Sequence, residues 1–360
     1  SEFCDSSQLI QPPQKKPTDT AMNTKLTLLG SAAFLGAAAS LNAQSAVTAA
    51  VGYHTESLVT GFNVIAVNVG NAVAAAGDFD ADSATDNDVD FTTLLTADTP
   101  YTVQNISTGA SAPVTAWDAN TLTTTLEVAA GDRYEVRQDQ TIADLFGAGN
   151  EAGLQEGSDS EADVLWLPDG SGGYTRIYRN NQTIEDPFNP LTPGWRSVGG
   201  GNVDVADTVV PFTFGMFVQV RGPALDLVFV GHVRGDDPDD DNGHGSSVAI
   251  IDVVTGFNVV SRIVPVGITA AEGGAASILT PGSDATGDVL WNPDGGGGYV
   301  RIYNNNVTIE DPFNPLTPGL RTIGGGNVAA DDEVLASGFL VQRRAADGAI
   351  GVEIPPRLDL

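Results

Sequence analysis

The chain has 360 residues, 46 of them Asp or Glu and 16 Lys or Arg, for a net charge of −30 at neutral pH. Such a surface repels phosphate backbones and anionic lipid, so nucleic acid and acidic membranes are excluded as expected partners. All three lysines (Lys15, Lys16, Lys25) and the single cysteine, Cys4, fall within the first 25 residues. Beyond them there is no disulfide framework, thiolate metal site or Schiff-base lysine.

Residues 1–21 are polar and Pro-rich and read as a non-native or mis-set leader. Met22, Asn23, Thr24 and Lys25 then introduce LTLLGSAAFLGAAASLNA, with the charged start, apolar core and small-residue end of a secretory signal over residues 22–44. That apolar core is too short and too rich in Ala and Gly for a membrane span. The remainder carries 13 Arg against 43 acidic residues. An acidic exterior of this kind suits a saline extracellular setting, and it also gathers divalent cations.

A first β-module is expected over residues 47–234. After LVTGFNVIAV at Leu58 it carries an insert of about 70 residues, roughly Val67 to Val136, whose PYTVQNIS, PVTAWDANTLTTTLEV and DRYEVRQ stretches read as short strands, with WDAN as a hairpin turn. TIADLFGAG reads as a helix capped by Asp139 or Thr141 and stopped by Gly147. VLWLP and YTRIYR flank the turn cluster PDGSGG and form a hairpin. Its alternation sends Val164 with Trp166, and Tyr174 with Arg176 and Tyr178, to one face each. GMFVQVRG is a closing strand and ALDLVFVGHVR a further strand.

An acidic linker, residues 235–247, leads to a second, shorter module over 248–360. Its core repeats the first: Asp163–Val203 aligns without a gap to Asp288–Val328, with 33 of 41 positions identical. LVTGFNVIAV recurs as VVTGFNVVSR at Val253, GMFVQVRG recurs as GFLVQRRA at Gly338, and ITAAEGGAASIL is a weaker helical counterpart. The expected fold is mainly all-β: two related β-sandwich or barrel-like modules from an internal duplication, with one or two short helices. Both copies hold TIEDPFNPLTPG unchanged, at Thr183–Gly194 and Thr308–Gly319. Its prolines fix φ and remove donors, so it is read as a stiff surface loop and not a central strand.

The series TGFNVIAV, GDRYEVR, ADLFG, DVLW, GGYTRIY, GWR and GMFVQVRG, repeated in shorter form, resembles an uncharacterised family of secreted verrucomicrobial proteins. The resemblance covers about Gly52 to Ala345 and implies architecture and secretion only. The chain departs from the family pattern in the long insertion before GWR, and in reading GLR in the second copy.

Several residues are site candidates. Asp237, Asp239, Asp241 and Asn242 in the linker alternate as hard oxygen ligands do in a calcium loop, without the glycine and terminal glutamate of an EF-hand register. Asp78, Asp80, Asp82, Asp86, Asp88 and Asp90 form a second acidic run with the same defect. Tyr174, Arg176, Tyr299 and Arg301 recur on the two hairpins and could contact a sugar, with Trp166, Trp291, Tyr178 and Tyr303 nearby; the competing reading puts Trp and one Tyr of each copy in the core. Glu185, Asp186, Glu310 and Asp311 are the paired carboxylates of the loops. Adjacent residues on an extended chain point to opposite faces, so a catalytic dyad would need a distant partner such as Asp163 or Asp169. His54, His232 and His244 lack metal-ligand spacing. The expectation is a secreted, non-enzymatic surface or matrix protein acting by adhesion, assembly or glycan contact, with calcium as the only candidate cofactor. Glycans and other surface proteins are the expected partners. The alternatives are an extracellular polysaccharide-acting enzyme that uses carboxylates, and a self-assembling filament or surface-layer subunit.

Overall fold

The computed structural model describes residues 51–188, 190–234, 248–310, 315–325 and 327–354. The leader and signal regions, the linker with Asp237, Asp239, Asp241 and Asn242, and Asp311 lie outside the described residues. Those described are mainly antiparallel β with three short helices, one more than the sequence suggests. Among them no helix is long and apolar enough to cross a membrane.

The first half opens with β1 (Val51–Leu58) and β2 (Gly61–Ile65). The insert follows: β3 (Val73–Asp78), α1 (Phe91–Leu94), β4 (Tyr101–Asn105), β5 (Ser111–Trp117), β6 (Leu122–Thr124) and β7 (Arg133–Gln138). Then come β8 (Gln140–Thr141), α2 (Ile142–Phe146), β9 (Val164–Pro168), β10 (Tyr174–Asn180), β11 (Gly194–Ser197), β12 (Val209–Val210), β13 (Met216–Val220) and β14 (Leu225–His232). The second half holds β15 (Val248–Val253), β16 (Gly256–Ser261), α3 (Ala275–Ile278), β17 (Val289–Pro293), β18 (Tyr299–Asn305), β19 (Gly319–Thr322), β20 (Gly338–Arg343) and β21 (Gly348–Glu353).

Each half packs a two-stranded ribbon against a five-stranded sheet. In the first, β1 pairs β14 and the sheet runs β11-β10-β9-β13-β2; in the second, β15 pairs β21 and the sheet runs β16-β20-β17-β18-β19. The sheets are open sandwiches and not closed barrels. Strand alternation explains the layering, because side chains two apart share a face. Leu165 and Leu167 of β9, Ile177 of β10 and Met216, Val218 and Val220 of β13 point inward to meet Leu58, Leu227 and Phe229 of the ribbon. In the second half Leu290, Ile302, Phe339 and Val341 meet Ile251, Val253, Ile350 and Val352 in the same way. Truncating one of the buried leucines to Ala is worth about 2–5 kcal/mol.

Helix α2 starts where the sequence places it. Thr141 is the N-cap, exchanging bonds with Asp144 in a capping box, and Gly147 ends the helix at φ 84°. The insert folds around its own core of Phe79, Phe91, Tyr134 and Val136, with Phe79 stacked on Tyr134 at 4.4 Å. Its sheet, β3-β7-β4-β5-β6, includes one strand, β3, that its Ala- and Gly-rich sequence does not announce. The turn after β4 reaches the second half, where the Ile250 N–H donates to the Gly109 carbonyl at 3.0 Å.

The halves join where the ends of β2 and β16 meet the starts of β20 and β13. Gly215 N–H donates to Val259 O at 3.2 Å and Ser261 N–H to Thr213 O at 3.0 Å. Reciprocally, the Ser337 hydroxyl lies 3.3 Å from Ala66 N and accepts its proton, and the Ser261 hydroxyl donates to Asn68 Oδ1 at 2.8 Å. Gly215 and Gly338 are counterparts in the repeat, as are Val64 and Val259. Each copy therefore offers nearly the same patch to the other, the signature of a two-fold, isologous contact.

Candidate ligand-binding surface

The inner faces of the five-stranded sheets are covered by the ribbons, which leaves their outer faces to carry the residues at even positions of β9 and β10. On the first, Arg176 lies directly across from Trp166 in the ladder, its guanidinium carbon 5.4 Å from the indole centroid. Phe62 of β2 meets the same indole edge-on at 5.7 Å, and Tyr174 meets it at 6.3 Å. On the second, Arg301 sits 5.3 Å from the Trp291 centroid, with Phe257 at 5.6 Å and Tyr299 at 6.0 Å. Each cation–π contact at such a half-open site is worth about 0.5–1 kcal/mol.

These rings are partly covered: Trp166 packs on Val164 and Tyr178, and Tyr174, Trp291 and Tyr299 on Val64, Val259 and Leu340. Phe62 and Phe257 are 52% and 46% exposed, Trp166, Tyr174, Trp291 and Tyr299 are half-buried, and Arg176 and Arg301 are exposed. The core tryptophan is Trp195 of the GWR segment, which is fully buried and donates its indole N–H to Gly147 O at 2.9 Å. Of the reading that puts Trp and one Tyr of each copy inside, Tyr178 and Tyr303 are buried, whereas Trp166 and Trp291 are half-buried and pack against small buried clusters. The two faces run together at Val64, Val259 and Leu340, against which Tyr174, Phe217, Trp291 and Tyr299 pack. A recess there is lined from both halves, by Tyr174 of one and Phe257 of the other.

The faces present their arginines to solvent. Among the described residues neither Arg176 nor Arg301 forms an ion pair, whereas Arg137, Arg179, Arg196 and Arg343 each face a carboxylate. Burial, and then the charge of Asp169, raises the Tyr174 phenol; burial and Asp294 do the same for Tyr299. Both phenols therefore stay protonated and can donate. Asp169 itself shapes the turn, accepting from Ser171 N–H, Ser171 hydroxyl and Gly173 N–H at 2.8–2.9 Å. Asp294 accepts from Gly296 and Gly298 N–H.

The TIEDPFNPLTPG segments lengthen the hairpin that follows β10 and β18. Ile184 and Leu191 exchange two backbone bonds, at 2.8 and 3.0 Å, and Ile309 with Leu316 do so at the same distances. The roots are clamped from inside: buried Asn180 donates to Gln182 O and Thr192 O at 2.7 Å, and Asn305 to Val307 O and Thr317 O at 2.6 and 2.7 Å. Arg196 adds bonds to Thr192 O and Pro193 O and an ion pair to Asp204 at 3.0 Å. At the tips Glu185, Asp186 and Glu310 are exposed, and Phe188 is 95% exposed. Asp186 accepts from Phe188 N–H at 2.8 Å, which sets the Asp-Pro turn. A cleft of about 410 Å³ lies beside the second hairpin, lined by Tyr303, Val307, Ile309 and Leu316.

The remaining candidates have local duties. Asp163 is buried and accepts from Gln155, Arg221 and Gly222 N–H; it is tied into the turns and is not free to serve as a dyad partner for Glu185. In the second acidic run, Asp80 accepts from Asn87, Asp86 from Tyr134 and Asp88, and Asp90 caps α1. Among the described residues no group of three or more His, Cys, Asp or Glu is placed to hold a metal ion. His54 is buried, with Nε2 3.1 Å from Ala66 O and 3.2 Å from Glu56.

No family model, curated protein or solved structure matches the chain.

Sequence reasoning named Tyr174, Arg176, Tyr299 and Arg301 as candidates and did not name Phe62 and Phe257, which lie beside Trp166 and Trp291. Their signal was the shared TGFN, whose Gly at φ 111° and 110° starts β2 and β16 and puts the next residue on the outer face.

Proposed function

We propose that the protein is a secreted, non-catalytic binding protein of the cell surface or matrix that holds glycans on its two aromatic faces. The observation that carries this reading is the set Phe62, Trp166, Tyr174 and Arg176, reproduced with nearly equal distances as Phe257, Trp291, Tyr299 and Arg301. Sugar rings present C–H faces that stack on indole and phenyl rings, while their hydroxyls need donors such as a guanidinium or a neutral phenol. The secretory pattern of residues 22–44 and the acidic composition support an extracellular location.

The carboxylates support the non-catalytic reading. A glycosidase acid works in a desolvated site opposite a second carboxylate, whereas Glu185, Asp186 and Glu310 are exposed at hairpin ends. Self-assembly has one observation of its own, the fully presented Phe188. Light scattering of wild type and Phe188→Ser at rising calcium tests it, and a monomer throughout removes it. Calcium binding by Asp237, Asp239, Asp241 and Asn242 rests on the sequence pattern alone.

A glycan array probed with the mature chain tests the main reading. Retention by a defined class of sugars is expected; a blank array with folded protein sinks it.

A further inference from the structure

We propose that the two faces hold separate glycan chains of opposite polarity, so that the protein cross-links polysaccharide instead of gripping one chain along its length. This rests on the glycan reading of the same faces and extends it to what their relative placement does.

The argument begins with the reciprocal junction. Ser261 N–H donates to Thr213 O at the start of β13, while its counterpart Ala66 N–H donates to the Ser337 hydroxyl at the start of β20, and contacts that repeat in this crossed way relate the two copies by an approximate two-fold rotation. Such a rotation reverses direction along any line that meets its axis at a right angle, as the line joining the two equivalent faces does. A polysaccharide has a reducing and a non-reducing end, so its hydroxyls and ring faces follow one another in a fixed sense. A chain that meets Trp166 and Arg176 in the productive sense meets Trp291 and Arg301 backwards. Both faces can be filled productively only by two chains, or by one chain that folds back.

Rigidity makes this consequential. The junction is held by backbone hydrogen bonds, by the buried Asn68–Ser261 bond of 2.8 Å and by Val64, Val259 and Leu340, which are buried between the faces. The faces cannot swivel to bring both into register with a single strand. They are therefore two fixed sites on one body, and binding to a polymer gains avidity from the second site without any new contact. The chemistry of the partner follows from the charge. A chain at −30 repels uronate or sulfate polymers, and the two unpaired guanidinium groups suit the hydroxyls of a neutral one.

The experiment uses the mature chain with hydroxyethylcellulose and with xylan as neutral probes, first in affinity electrophoresis and then in low-shear viscometry. Wild type should be retarded by one of them and should raise its viscosity, with a maximum at intermediate protein that falls away in excess. Two single-face variants, Trp166→Ala with Arg176→Gln and Trp291→Ala with Arg301→Gln, should still be retarded, about tenfold or more weakly, and should leave viscosity at the polymer baseline. Arg176→Gln and Arg301→Gln singly serve if a tryptophan variant does not fold, as read by circular dichroism. Retardation of wild type with no viscosity rise at any ratio overturns the cross-linking and leaves the glycan reading standing. No retardation by either polymer overturns both. A viscosity rise retained by the single-face variants also overturns the proposal, because the cross-link would then lie elsewhere on the molecule.

Discussion

Gly338 lies so close to Ile65 that a Cβ added to it would stand 2.6 Å from the Ile65 carbonyl carbon. The approach is backbone on backbone, so no side-chain rotation can relieve it. Gly338→Ala should destabilise the protein by about 1–3 kcal/mol, as overpacking in a well-filled interior does. Calorimetry would show a lowered Tm. An unchanged Tm would mean that the junction between the halves is looser than the packing around Val64 and Val259 implies.

Asp288 provides a pH test. Burial opposes its charge, but the Arg344 N–H, the Thr280 hydroxyl and N–H and the Ala345 N–H outweigh it and hold the carboxyl below the usual range; Arg343 adds an ion pair at 2.9 Å. A carboxyl whose folded value is depressed stabilises fully above its unfolded value of about 3.9, and that contribution is lost as pH falls through the lower folded value. Stability should stay level from pH 7 to 5 and decline below about pH 4. Asp288→Asn should cost about 2–4 kcal/mol at neutral pH and flatten that decline. Urea unfolding at pH 7, 4 and 3 measures both.

The repeated hairpins separate root from tip. Asn180→Ala leaves two carbonyls without the amide that joins them and should cost about 1–3 kcal/mol, with Asn305→Ala similar. Phe188→Ser, at a side chain 95% exposed, should change stability by no more than about 0.5 kcal/mol. Equal effects at root and tip in denaturant titrations would contradict the clamp.

The sequence carried the duplication, the hairpins and the Thr141-to-Gly147 helix because each is local: a repeat, a turn cluster, a cap. Strand alternation also divided Trp166 from Leu165 and Tyr174 from Ile177. What it left open was which of the two faces is covered, since that depends on the ribbons β1-β14 and β15-β21, which are paired across long stretches of chain. Hence Trp166 could be read either as core or as a surface ring, and it is half-buried, while Trp195 is fully buried. The neighbourhood of Phe62 and Trp166 was hidden for the same reason: it follows from the order β9-β13-β2, which brings together residues about a hundred apart. β3 was missed because VAAAGD has little intrinsic β preference and is made a strand by its partner β7.

The central claim is that the outer faces, and not the acidic hairpin tips, do the binding. The most direct measurement is a glycan array probed side by side with wild type, the double variant Trp166→Ala with Trp291→Ala, and the double variant Glu185→Gln with Glu310→Gln. Loss of signal of about tenfold or more is expected for the tryptophan variant, at a little over 1 kcal/mol per face, with the glutamine variant matching wild type. Full binding by the tryptophan variant, or loss confined to the glutamine variant, would contradict the account.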